Sequence, residues 1–130
     1  MDAEAVRETF QAFGPVGIRR MFGGQGIYRE GVMFALESGG ELYLKVDDES
    51  LGFFRDLGSR AFSYRMKDGR TGVMSYWLMP ESALDDPDEA ARLARMAFEA
   101  ALRTKAAAAK KAKKPSSRAG KSRKSPERAL

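Results

Sequence analysis

The 130-residue chain contains no cysteine and no histidine. Without cysteine there are no disulfides or thiolate metal sites, and a reducing compartment fits. Without histidine the commonest general base is gone, together with Ser-His-Asp and Cys-His arrangements and imidazole ligation of metals. An enzyme made from this chain would have to work with carboxylates, Lys, Arg, Tyr, Ser or amides. No apolar run approaches the roughly 18 residues a membrane span requires. The acidic, amphipathic start MDAEAVRETF is unlike a signal peptide. A cytoplasmic protein with no membrane partner is expected.

Acidic residues are almost missing from one end. Residues 104–130 carry ten Lys/Arg against the single acid Glu127, a charge of +9, while residues 1–103 hold 13 basic and 17 acidic residues, or −4. The overall +5 therefore belongs to the tail, and a polyanionic partner would meet the tail first.

Residues 1–103 read as one domain. A helix is expected from Asp2 to Phe13, with Val6, Phe10 and Phe13 on one face and Gly14-Pro15 ending it. Four short strands follow: Ile18 to Phe22, Gln25 to Tyr28, VMFALE (residues 32–37) and ELYLKV (residues 41–46), linked by turns short enough for an antiparallel meander. Capped by Asp47 or Asp48 and stopped by Gly58, DDESLGFFRDLG reads as a short helix. Two strands, AFSYRM and TGVMSYWLMP, meet at an Asp68-Gly69 hairpin turn. Tyr76 and Trp77 fall on opposite faces of the second, which suggests one in the core and one at the surface.

A long last helix starts at Asp86-Pro87. On the helical wheel Arg92, Arg95, Glu99 and Arg103 form a charged stripe, and the apolar remainder calls for burial by the sheet or by a second subunit. The expected fold is α+β: two layers, a largely antiparallel sheet of about five to six strands, two longer helices and one short one.

The tripeptide Gly23-Gly24-Gln25 invites comparison with peptidyl-tRNA hydrolases, where Gly-Gly-Gln presents its glutamine to the ester from a flexible loop. Here Met21-Phe22 and Ile27-Tyr28 flank it, so a kinked strand is the expected setting. A phosphate loop would open a helix and carry GK[ST], which is absent. Asp47-Asp48-Glu49 and Asp85-Asp86-Asp88-Glu89 stand at helix starts, where capping explains them without a metal. No catalytic residue, metal ligand or cofactor is expected. Arg19-Arg20, beside the kink, are candidates for a partner contact or an internal ion pair.

From Thr104 the composition changes. KAAAAKKAKKP has good helix formers but no large apolar side chains, and SSRAGKSRKSPERAL is expected to be disordered when unbound. Lys105, Lys110, Lys111, Lys113, Lys114, Arg118, Lys121, Arg123, Lys124 and Arg128 would neutralise phosphates without reading bases. With no aromatic among them, they offer no stacking platform for single strands. The expected division is residues 1–103 as the domain and 104–130 as a basic tail for nucleic acid.

Taken in order, MFGG-GIY, LYLKVDD, MSYWLMPE and DDPDE, spread over about residues 10–103, resemble the N-terminal domain of the TfoX/Sxy family of competence regulators. That resemblance implies an α+β domain with an antiparallel sheet, in a cytoplasmic bacterial protein linked to DNA uptake and its transcriptional control. It brings no catalytic residues, and Gly23, Gly24 and Gly26 look like fold positions in its motif. Full-length family regulators carry a second helical domain; here the basic tail stands in its place. The resulting expectation is a non-enzymatic regulatory adaptor with an unidentified protein partner, or a homodimer through the last helix. The alternatives are a ribosome-rescue hydrolase acting through Gln25 and a small-ligand-binding domain.

Overall fold

A computed structural model describes residues 1–21 and 23–113. Phe22 and residues 114–130 lie outside the described set, and with them the expected positions of Lys114, Arg118, Lys121, Arg123, Lys124 and Arg128. The element order is α1 (Ala3–Thr9), β1 (Gly17–Met21), β2 (Gly24–Arg29), β3 (Val32–Ser38), β4 (Glu41–Lys45), α2 (Leu51–Asp56), β5 (Ala61–Arg65), β6 (Thr71–Leu78), a 3₁₀ turn (Glu81–Asp85) and α3 (Pro87–Lys113). One six-stranded sheet runs in the order β1-β2-β3-β4-β6-β5, every pair antiparallel. The α+β class and the antiparallel sheet are as the sequence predicts.

The caps explain the helix limits. Asp2 accepts from the Ala5 amide at the start of α1, which closes earlier than the apolar spacing suggests and continues as turns to Phe13. Asp86 accepts from the Asp88 and Glu89 amides ahead of α3. At the end of α2 the Gly58 amide returns to the Arg55 carbonyl and the Ser59 amide to that of Phe54, with Gly58 at φ +72°, a left-handed stop that suits glycine.

All the helices cover one face of the sheet. Val6, Phe10 and Phe13 from the first helical segment, Phe54 of α2, and Leu93, Ala94, Ala97 and Ala101 of α3 meet Ile27, Phe34, Ala35, Leu42 and Leu44. Phe34 is the hub, with Phe10 edge-on at 5.5 Å and Phe13 at 5.2 Å between ring centroids. A β-bulge makes this possible. Ile27 pairs with Ala35 while Tyr28 pairs with Met33, so Phe34 is the extra residue on β3, and two consecutive side chains, Phe34 and Ala35, both reach the helix side.

The opposite face is not bare. Leu36, Tyr43 and Tyr76 are buried there beneath Met33, Phe62, Met74 and Leu78. Tyr76 and Trp77 do take opposite faces, but neither is a free surface contact: Trp77 packs on the main core, and Tyr76 is 7% exposed. Burial, aided by the nearby Tyr28, pushes the Tyr76 phenol up to about 12.

The apolar face of α3 is taken up by β3, β4 and the 3₁₀ turn of the same chain. Its exposed stripe differs in one member from the wheel. Arg92, Arg95 and Glu99 face solvent as expected, but Leu102 completes the row and Arg103 turns inward to Asp47. The helix also runs past the change of composition at Thr104 as far as Lys113, because Ala and Lys sustain a helix without packing partners. Residues 104–113 are therefore helical, the extension that the good helix formers of this stretch allow.

Candidate functional site

Gly23 belongs to the hairpin turn between β1 and β2 and Gly24-Gln25 open β2, so a reversal of the chain stands where a kinked strand was expected. Gly23 sits at φ +76°, where the chain reverses. Gly24 meets a different demand. A Cβ placed there would fall 2.0 Å from the Glu37 carbonyl oxygen, so only glycine lets β2 approach β3 this closely. Gly26 lies beneath Met21, Tyr28 and Met33, whose side chains fill the space a Cβ would take.

Gln25 is not presented to solvent from a loop. Its Nε2 donates to Glu37 Oε1 at 2.9 Å and to the Met1 carbonyl at 2.8 Å. Glu37 is a buried charged residue on β3, and it also accepts from the Gly40 amide at 2.9 Å and from the Met1 amino group at 3.4 Å. Burial alone would raise its carboxyl, but these donors together hold it below the usual carboxylate range. The geometry thus turns the glutamine into a ligand for an internal carboxylate. Gln25→Ala is expected to lower stability by about 1–2 kcal/mol, since a hydrogen bond to a charged group is lost. It should leave no deficit in a peptidyl-tRNA hydrolysis assay; thermal melting beside that assay checks both halves.

Arg20, Gln25 and Glu37 form a cross-strand row, with Arg20 opposite Gln25 and Gln25 opposite Glu37. The row floors a cleft of about 670 Å³ roofed by the start of α1, where Arg7 joins Arg20. The two arginines singled out in the sequence are therefore divided between faces. Arg20 lies on the cleft side, whereas Arg19 lies on the other face with its guanidinium 5.4 Å from the Tyr28 ring centroid. Among the described residues neither Arg19 nor Arg20 forms an ion pair, so the internal salt bridge considered for them is not made. Arg7 gave no sequence signal of its own, because its place in the cleft depends on how α1 crosses β1.

The family model for the TfoX N-terminal domain matches residues 8–101. The chain belongs to the TfoX N-terminal domain family. The match takes in the turn and strand start at Gly23–Gly26, Glu37, the Asp47 corner and all of α3 that packs on the sheet. No protein in a curated set resembles the chain closely enough to add to this.

Two acidic corners of this TfoX N-terminal domain have structural duties. Asp47 accepts from the Ser50 amide and hydroxyl at 3.1 Å each, and from Arg103 Nε at 2.5 Å and Nη2 at 3.0 Å. The Arg103 guanidinium, assisted by Ser50, holds the Asp47 carboxyl down to about 2. Asp86 caps α3. Beyond the family match, α3 carries Lys105, Lys110 and Lys111 on exposed helix, in a segment that continues ten residues past Arg103, or about 15 Å at the helical rise. Among the described residues no helix is long and apolar enough to cross a membrane.

Proposed function

We propose that this TfoX N-terminal domain protein is a non-enzymatic, cytoplasmic regulatory adaptor, tied to competence or transcription, whose basic C-terminal segment contacts nucleic acid without reading its sequence. The observation that carries this reading is the solvent-exposed lysine stretch of α3, which leads the positive charge away from a body of net −4. Such an arrangement separates a phosphate-binding arm from a domain that phosphates would repel. The division at residue 103 is then functional, although the helix crosses it. Of the two arginines expected at a partner contact, Arg20 on the cleft side is assigned to it, while Arg19 lies on the other face against Tyr28.

The hydrolase alternative has little to support it, because Gln25 is committed to Glu37. A small-ligand role has no particular observation in its favour.

The test is fluorescence anisotropy with labelled duplexes of unrelated sequence. The whole chain should bind them alike. A full-length variant with all ten Lys/Arg of residues 104–130 changed to Gln should bind at least about 100-fold more weakly at moderate salt. Equal binding by both proteins would move the nucleic-acid contact to the body.

A further inference from the structure

β1 is an outer strand of the sheet, and among the described residues the backbone groups on its free side have no neighbouring strand. Open edges are usually covered, shortened or made to repel. This one borders the cleft floored by Arg20 and roofed by Arg7. Neither guanidinium has an ion-pair or hydrogen-bond partner among the described residues, in a body where acids outnumber bases. The two acids that line the same cleft are spent elsewhere. Asp2 caps α1, and Glu37 is saturated by Gln25, Gly40 and Met1. Two unspent positive charges therefore stand beside an unpaired strand edge.

We infer that β1 is the docking edge for an extended acidic segment of a partner protein, which adds as a seventh strand and places carboxylates on Arg7 and Arg20. Main-chain hydrogen bonds to β1 supply the affinity and the guanidiniums select the charge, as in other cases of strand addition. The inference rests on the adaptor reading of the body and not on the tail's contact with nucleic acid.

Charge decides between occupants. A second copy of this chain pairing antiparallel about the middle of β1 would bring Arg19 or Arg20 against its own equivalent, and like charges across a strand pair destabilise it. A nucleic-acid backbone could meet the arginines, but it lacks the alternating amide and carbonyl groups that a strand edge pairs with. An acidic strand satisfies both features at once. Arg19, on the other face beside Tyr28, is left outside the contact.

The test uses the full chain and a short capped peptide alternating Glu with Val and Thr, followed by anisotropy and by amide NMR. The expected result is saturable binding with shifts and new exchange protection in residues 17–21. Arg7→Ala/Arg20→Ala should weaken it by about tenfold or more, while Arg19→Ala should have little effect. A peptide with Lys for Glu should not bind. Nor should one N-methylated at alternate residues, which keeps the charge but cannot extend the sheet. Because the basic tail will attract any acidic peptide, the decisive contrast is with the tail-neutralised variant. Retained binding in that variant supports the edge site. The inference is overturned if binding disappears with the tail charges, if it is indifferent to Arg7 and Arg20, or if the N-methylated peptide binds equally well. Failure of the duplex assay would leave this result untouched, so the two readings fail separately.

Discussion

Gly24→Ala is expected to be the most damaging single-methyl change in the domain, at about 3 kcal/mol or more of stability. The added Cβ would lie 2.0 Å from the Glu37 carbonyl oxygen, with the Glu37 carbonyl carbon at 3.1 Å and the Ser38 Cα at 3.3 Å. These are backbone atoms, which cannot swing away as a side chain can. Relief requires β2 and β3 to separate, and that separation would pull Gln25 from Glu37 and disturb the bulge that seats Phe34 in the core. Two neighbouring glycines serve as internal controls. At Gly23 nothing lies within 4 Å of the new Cβ, so Gly23→Ala incurs only the strain of φ +76°, about 1 kcal/mol. At Gly26 the nearest atom is the Met21 sulfur at 2.7 Å, the end of a flexible side chain, so an intermediate loss is expected. Chemical denaturation of the three variants should rank them Gly24, Gly26, Gly23. Equal losses at Gly23 and Gly24 would mean that the close approach of β2 to β3 is not what demands glycine.

The second large effect is at the Asp47 corner. Asp47 follows β4, and Arg103 reaches it from α3, so their paired bonds tie the last helix to the sheet across 56 residues of chain. Glu49 adds a contact with Arg103 Nε at 3.2 Å. The Asp47 carboxyl titrates at about 2 in the folded protein against 3.8 for the free group, a depression that corresponds to about 2 kcal/mol of stability at neutral pH. The sign follows from the depression. Above the unfolded value the carboxylate is charged in both states and the full contribution is present. As pH falls from about 4 towards about 2 the unfolded chain takes up the proton first, and the contribution is lost. Asp47→Asn should cost about 2 kcal/mol at pH 7 and should flatten the loss of stability between those pH values. Arg103→Gln should cost a similar amount. The double variant should cost little more than either alone, because both remove one coupled contact. Additive losses, or an unchanged acid limb in Asp47→Asn, would contradict the pairing.

These sites differ in how far the sequence discloses them. The ELYLKV strand, the Asp68-Gly69 turn and the Asp86-Pro87 start of α3 act within a few residues, and each forms where it is expected, although Tyr43 on the outward side of that strand is buried as well. Contacts set by register or by packing are harder to read. Counting back from the Glu30-Gly31 turn in an unbroken hairpin places Gln25 opposite Leu36; the bulge at Phe34 moves it opposite Glu37 and creates the hydrogen bond. VMFALE carries no alternation to announce that bulge, because its outward residues Met33 and Leu36 belong to a second apolar cluster. The wheel likewise places Arg103 with the solvent-facing charges, since only the fold brings Asp47 beside it. The arginine cleft is half legible: Arg20 stands next to the glycine turn, but Arg7 arrives from a helix that must first be packed.

The central claim is that the positive arm, and not the acidic body, meets nucleic acid. Its most direct test is the affinity of the whole chain for duplex DNA across a salt series, beside the tail-neutralised variant. The account predicts that log K for the whole chain falls against log salt with a slope of about −5 or steeper, as five or more phosphates are neutralised, and that the variant shows no measurable binding. A shallow slope shared by both proteins, or no binding by the whole chain at physiological salt, would contradict it.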